Sequence, residues 1–310
     1  MNNRAKRTEI YYAEPVYRPP SEAHSLLVQA TVGCSAAAAG KCYFCGSPLF
    51  QRTIPEKRFR IRPTDEIIED IEIGRSQYGS GVEKIFLLDS NALIMKTPEL
   101  LKILKRCYEL FPRLKQVSCY ACCDDILRKS DQELSQLREA GLKLAFIGLE
   151  SGDQETLDLM NKGVTVQDQI DAVVKANRAG IRTSVTVIIG LGGRKLYEQH
   201  AINTGKAAGA MNPTYFAALT LMVVPGTPLD DMVRRGEFEL VTDPNEILKE
   251  LELMIQNIDA PGPVEFRTNH ASNYLPLRGT LPQDKEKLLG TIRSAINDPS
   301  QLRPEFLRGL

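Results

Sequence analysis

Neither sign of charge is in excess, since lysine plus arginine and aspartate plus glutamate each number 39 in the 310-residue chain. With no basic surplus to meet a phosphate backbone and no acidic tail, nucleic acid is not an expected partner, although a local basic patch stays compatible with these totals. No apolar run reaches membrane-spanning length, so no membrane partner is expected. The opening MNNRAKRTEIYYAEP lacks the apolar stretch of a signal peptide, and a cytoplasmic location follows as the expectation. In a reducing compartment, seven unevenly clustered cysteines read as metal ligands or thiols, not as a disulfide framework. At 43% hydrophobic and 25% charged residues, the chain can bury one large α/β core or two small ones.

What is present is an alternation of short β-branched runs with longer amphipathic segments. Residues 25–33, 84–90, 116–121, 144–150, 183–190 and 215–224 are almost continuously apolar, as strands covered on both faces are. Between them, residues 63–79, 97–111, 130–141, 165–180 and 196–210 carry helical periodicity. Ser130 and Glu133 form a capping box, and Gly141 and Gly180 fall where helices end. Six β-then-α repeats predict a right-handed parallel β/α arrangement, whose ligands gather at the carboxyl ends of the strands.

Just past the first of these strands stand Cys34, Cys42 and Cys45, in QATVGCSAAAAGKCYFCGSPLF. Thiolates at close loop spacing hold zinc or iron–sulfur clusters, and structural sites of both kinds take four protein ligands. Three ligands leave one coordination position open for chemistry. The other reading is a non-enzymatic zinc or electron-transfer module completed by a distant cysteine or histidine.

With the motifs at the later strand ends, this loop resembles that of the radical S-adenosylmethionine superfamily over roughly residues 25–230. The resemblance implies a (β/α)6 partial TIM-like barrel, with a C-terminal extension covering its mouth. It also implies a [4Fe–4S] cluster on Cys34, Cys42 and Cys45, and S-adenosylmethionine chelating the fourth iron. Reductive cleavage would then give a 5′-deoxyadenosyl radical that takes hydrogen from a small-molecule substrate, with flavodoxin or ferredoxin as the electron donor. Seven residues separate the first two cysteines, where the family's commonest spacing has three; the second interval of two is intact.

The same resemblance assigns cofactor contacts. Phe44 precedes the last cysteine, where backbone meets adenine. Asp89 and Ser90, in LLDSNAL, stand where a glycine-rich acidic stretch meets the methionyl amino group, although the glycines are absent. Glu150, followed by Ser151 in GLESGD, matches the contact to the ribose hydroxyls, and a carboxylate accepts from both. Lys162 matches a cation for the methionine carboxylate in oxygen-independent coproporphyrinogen dehydrogenase-like members. Thr186 is a second ribose position, Gly190 and Gly192 let backbone approach the adenine, and Val223 stands in LMVVPGTPL, close to the PGTPL tail of that subgroup.

The remaining residues carry weaker expectations. Cys107 reads as a buried small hydrophobe in a helix. Tyr120 and Cys122, in SCYACCDD with Cys119 and Cys123, are catalytic candidates, and a second cluster there is disfavoured. The division expected is an N-terminal extension (1–24), a core (25–230) and a C-terminal extension (231–310). With so short a stretch before the first strand, no cobalamin module is expected ahead of the core. Residues 236–258 read as a hairpin-like linker and a helix. The polar window after them supplies Arg267, Asn269, Asn273 and Tyr274 as substrate contacts and His270 as a catalytic candidate. His200 reads as a solvated helical residue, and His24 as a neighbour of the cluster.

Overall fold

The six apolar runs become strands because β-branched and aromatic side chains suit a pleated, doubly covered surface. The computed structural model describes residues 7–309. Its strands are β1 (Leu26–Gln29), β2 (Thr31–Val32), β3 (Arg60–Ile61), β4 (Lys84–Leu88), β5 (Gln116–Ala121), β6 (Leu142–Glu150), β7 (Arg182–Ile189), β8 (Tyr215–Thr220), β9 (Val264–Arg267) and β10 (Arg278–Leu281). The main order is β1-β4-β5-β6-β7-β8-β9-β10, while β2 and β3 form a small antiparallel pair. Pairs β1/β4, β4/β5, β7/β8 and β8/β9 are parallel, and β9/β10 is antiparallel. A mostly parallel α/β sheet with helices between strands is the class expected.

Helices Thr64–Tyr78, Thr97–Leu110, Asp131–Glu139, Val166–Arg178 and Tyr197–Met211 fall on the five amphipathic segments. The capping box is formed: the Glu133 amide donates to Ser130 Oγ at 3.1 Å, and the Ser130 amide donates to Glu133 Oε2 at 2.8 Å.

The chain divides into two compact units. The first comprises residues 1–40, 50–146 and 178–181, and the second residues 41–49, 147–177 and 182–310. In the first, Val28, Ile85, Phe86, Leu87 and Val117 of the strands are buried, as are Ile67 and Ile71 of helix Thr64–Tyr78 and Ile103 and Leu104 of Thr97–Leu110. Part of the N-terminal extension belongs to this unit: Arg7 pairs with Glu69 and Asp70, and the Ala13 amide donates to Gln29 Oε1 at 2.7 Å. The first six residues of that extension, within the stretch read as lacking a signal peptide, lie outside the described residues. In the second unit, Val185, Val187, Phe216, Ala218 and Phe266 form the sheet's buried rows, and helices Tyr197–Met211 and Pro244–Gln256 contribute Ala201, Ala208, Leu251 and Met254 to the core.

Three local expectations are corrected. Residues 236–243 form no hairpin; Phe238 and Val241 are buried there, and Asp243 caps helix Pro244–Gln256 by accepting from the Asn245 amide. The polar window beyond that helix contains β9 and β10, because Val264 and Phe266 alternate inward while Glu265 and Arg267 face out of the core. The first apolar run breaks after Gln29, and Thr31–Val32 pairs instead with Arg60–Ile61.

Candidate cofactor site

Cys34 belongs to the first unit and the Cys42–Cys45 turn to the second. Among the described residues, no group of three or more His, Cys, Asp or Glu side chains is gathered as a metal site.

In the first unit, three consecutive residues around Cys34 are held by side chains. The Gly33 amide donates to Asp89 Oδ2 at 3.2 Å, Gln51 Nε2 donates to the Cys34 carbonyl at 3.0 Å, and Asn91 Nδ2 donates to Ser35 Oγ at 2.9 Å. The alanine-rich filler after Cys34 is a single helical turn, Ser35–Ala38. Asp89 is buried, and its Oδ2 lies 2.5 Å from Lys57 Nζ and 3.3 Å from Gln29 Nε2. Ser90, beside it, is half-buried.

In the second unit, the Cys45 amide donates to the Cys42 carbonyl at 3.0 Å, and Cys42 adopts a left-handed φ of 64°. The Ser47 amide donates to Cys45 Sγ at 3.4 Å, a contact that suits a sulfur ligand. This turn is strapped to the segment before Lys162: the Cys42 amide donates to the Asn161 carbonyl at 2.9 Å, and the Tyr43 amide to the Met160 carbonyl at 3.0 Å. Lys41 Nζ adds a bond to the Gly163 carbonyl at 3.0 Å, and the Leu229 amide donates back to the Tyr43 carbonyl at 3.1 Å. Phe44 and Val223 pack against the apolar cluster of Met160, Leu191, Leu229 and Phe238. The Phe44 side chain thus anchors the turn, leaving its backbone for any ligand contact.

Glu150 and Lys162, read separately as ribose and carboxylate contacts, form an ion pair at 3.1 Å with both side chains partly exposed. Glu150 has φ of 65° and folds back over Gly148, where a Cβ would sit 2.0 Å from Glu150 Oε1. Thr186 is half-buried on β7 and lies in register with Ala217 of β8, which is itself in register with Arg267 of β9. Parallel partners share a face, so Thr186 and Arg267 flank a small residue on one partly exposed sheet surface. Arg267 approaches Glu265 only to 3.9 Å, and its Nε is buried with no hydrogen-bond partner among the described residues.

Other candidates are engaged within the protein. Asn273 is buried, bonded to Thr220 Oγ1 and to the Ala218 and Thr268 carbonyls. Tyr274 donates to Glu305 Oε2 at 2.8 Å beneath the Arg308 guanidinium, which lies 3.8 Å from its ring centre. His270 is half-buried against Ser272 Oγ at 2.9 Å; Asn269 and His24 are exposed. Tyr120 stacks edge-on with Phe86 and Phe146. The half-buried Cys122 caps a short helix, its amide donating to Asp125 Oδ2 at 3.0 Å. Cys107 and Cys119 are buried, and burial pushes both thiols up to about 12, so they stay protonated. The half-buried Cys34, Cys42 and Cys45 therefore suit a soft-metal cluster better than these two, and the donor set fits iron–sulfur chemistry.

His200 is fully buried, contrary to the solvated reading, because its helix packs that face inward. Its Nε2 lies 3.1 Å from the Ile188 carbonyl, which can only accept, so Nε2 carries the proton and Nδ1 accepts from Ser151 Oγ at 2.7 Å. Ser151 is likewise buried, also accepting from the Asp153 amide. Glu250 completes the group: its Oε1 accepts from the Gly190 amide at 2.8 Å and lies 3.4 Å from His200 Nε2. Gly192 is pressed against the same histidine, a Cβ there falling 2.8 Å from His200 Cβ.

Gln51, Lys57, Asn91 and Glu250 were not anticipated from sequence. Glu250 had a signal, a carboxylate on the apolar face formed by Ile247, Leu251 and Met254. The other three lie in aperiodic or short segments that give none.

Burial pushes Glu250 up to about 8 and pulls His200 down to about 4. A carboxyl raised above its ordinary 4.5 contributes stability that is complete below that pH and lost as pH rises through about 8. The histidine acts oppositely, its contribution being lost as pH falls from 6.5 through about 4. Between about pH 6.5 and 8, Glu250 is accordingly the member of this pair whose titration lowers stability. Glu250→Gln should flatten the fall in urea midpoint across that window; an unchanged slope would show that Glu250 does not titrate there.

Comparison with known proteins bears on these arrangements. The sequence profile of the Radical SAM superfamily matches residues 28–203, more than half of the chain. An uncharacterized methyltransferase of Pyrococcus horikoshii is 27% identical over 191 residues, covering 61% of this chain and 38% of that protein. An uncharacterized protein of Methanocaldococcus jannaschii is 26% identical over 218 residues, covering 68% and 65%. The chain thus spans less than two thirds of the length of either relative. Among solved structures, coproporphyrinogen III oxidase from Escherichia coli, described as a Radical SAM enzyme, superposes with a TM-score of 0.54 at 16% identity, covering 82% of this chain and 54% of that one. At that identity the likeness is one of fold.

Proposed function

The chain belongs to the radical S-adenosylmethionine superfamily, and we propose that it removes hydrogen from a small organic substrate by reductive cleavage of S-adenosylmethionine at a [4Fe–4S] cluster. It is an enzyme, and its cofactors are those of the superfamily; when bound, they supply one electron and a 5′-deoxyadenosyl radical. The observation that carries the reading is the strapping of the Cys42–Cys45 turn to residues 160–163, beside the Glu150–Lys162 pair.

In this reading Cys34, Cys42 and Cys45 bind three irons. The strap holds two of those thiolates beside a cation suited to the methionyl carboxylate and a carboxylate suited to ribose hydroxyls. Glu150 and Lys162 each satisfy the other until a ligand arrives, so the site keeps its charges paired when empty. Thr186 lies on the partly exposed surface that receives the nucleoside, and Arg267, two strands away, faces the substrate. An arginine with an unpartnered Nε suits a substrate bearing a carboxylate or another anionic group. The methyltransferase and oxidase names among the similar proteins describe different reactions, and the fold does not choose between them. The reductant is proposed to be a flavodoxin or ferredoxin.

Electron paramagnetic resonance of the reduced, reconstituted cluster tests the proposal. Adding S-adenosylmethionine should shift the signal, and an unchanged spectrum would argue against iron-bound cofactor. In the same titration, Lys162→Met should raise the half-saturating S-adenosylmethionine concentration by about tenfold, equivalent to about 1.4 kcal/mol. Half-saturation at the wild-type concentration would remove Lys162 from the carboxylate contact.

A further inference from the structure

A cluster ligand must be held in a fixed relation to its two companions, and a longer connection gives weaker guidance because its ends are less restricted. Seven residues lie between Cys34 and Cys42, against two between Cys42 and Cys45. The first cysteine therefore needs its own anchorage, and the first unit contains one.

We propose that Gln51, Asn91 and the Lys57–Asp89 pair form a cradle that sets the position of Cys34, which makes them positioning residues for the first cluster ligand. The inference rests on the reading that the three cysteines hold a cluster. Asp89 holds the peptide amide before Cys34, Gln51 holds its carbonyl, and Asn91 holds the next residue through both the Ser35 hydroxyl and, at 3.5 Å, the Ser35 amide. With bonds on both sides of its Cα, the direction of the Cys34 Cα–Cβ bond is set, and the sulfur is confined to the few staggered positions around it.

Each holder is at least nine-tenths buried, with Gln51 8%, Asp89 2% and Asn91 0% exposed. Each is also fixed from behind. Gln51 Oε1 accepts from the Phe59 amide at 3.0 Å, Asp89 pairs with Lys57, and Asn91 Nδ2 lies 3.3 Å from Asp125 Oδ2. Lys57 in turn reaches the Ala13 carbonyl at 3.2 Å. Gly33 sits against the same segment: its φ is 68°, and a Cβ there would lie 2.4 Å from the Lys57 carbonyl oxygen. Only glycine fits that turn and that approach.

This assignment gives a reason for LLDSN where the resemblance leads one to expect glycines. Asp89 and Asn91 of that segment turn toward the cysteine loop, so Asp89 acts through the Gly33 amide and not on the methionyl amino group.

The test uses the full-length chain with Gln51→Leu and Asn91→Ala. After anaerobic reconstitution, both variants should lose the cluster to an iron chelator about tenfold faster than wild type, the usual scale for removing a residue that orients a metal ligand. Before reconstitution, iodoacetamide labelling read by mass spectrometry should accelerate at Cys34 while Cys42 and Cys45 keep their wild-type rates. Unchanged Cys34 labelling with unchanged cluster retention would overturn the cradle. So would equal acceleration at all three cysteines, which would mark a general loss of structure. If wild-type protein takes up no cluster, the functional reading fails, while the labelling result still decides whether these residues position Cys34.

Discussion

Cys45→Ala is expected to abolish both the iron–sulfur cluster and S-adenosylmethionine cleavage, while Cys107→Ala keeps both. The two side chains have the same chemistry in isolation and different surroundings. Cys45 is half-buried in a turn closed onto Cys42, and its sulfur accepts from the Ser47 amide. With only three thiolates in the loop, losing one leaves two, too few to retain the cluster. Cys107 is buried in helix Thr97–Leu110, and burial pushes its thiol up to about 12, so it neither ionises nor reaches a metal. Its truncation removes one buried atom and should cost about 1 kcal/mol of stability. Iron and sulfide per chain after reconstitution, with 5′-deoxyadenosine release, read the difference. Full iron content in Cys45→Ala, or its loss in Cys107→Ala, would reverse the assignment.

Lys57→Met should produce the largest loss of stability among the changes considered. The Lys57 and Asp89 side chains are 4% and 3% exposed, and their 2.5 Å contact is the main compensation for a carboxylate far from water. Removing one partner of a buried pair leaves the other charge uncompensated, typically at about 3–5 kcal/mol. The neutral double replacement Lys57→Met with Asp89→Asn should recover most of that loss, because the asparagine oxygen can still accept from the Gly33 amide. Urea unfolding of the wild type, the single variant and the double variant separates these outcomes. A single-variant loss below about 1 kcal/mol, the range of exposed pairs, would mean that the contact is not an anchor.

Much of the framework is legible in the sequence. The continuous apolar runs located β4 through β8 to within a few residues, because strands covered on both faces need such runs. Ser130 with Glu133 marked a helix start through local geometry alone. The C-terminal strands were missed because Val264 and Phe266 alternate within only four residues, flanked by proline, glycine and polar side chains. His200 was misread because burial of a polar side chain depends on its partners, and Ser151, Ile188 and Glu250 are remote from it in sequence. The same holds for the candidate site. Glu150 and Lys162 could be picked out one at a time, whereas their pairing could not. Asp89 could be placed at a strand end, but its engagement by Lys57, thirty-two residues earlier, has no local signature.

The most direct measurement is product analysis after anaerobic reconstitution with iron and sulfide, followed by S-adenosylmethionine and a strong reductant. If Cys34, Cys42 and Cys45 hold a [4Fe–4S] cluster with an iron open to the cofactor, 5′-deoxyadenosine and methionine will form in equal amounts. An intact, reducible cluster that yields neither product would contradict the assignment of this chain as a reductive S-adenosylmethionine-cleaving enzyme.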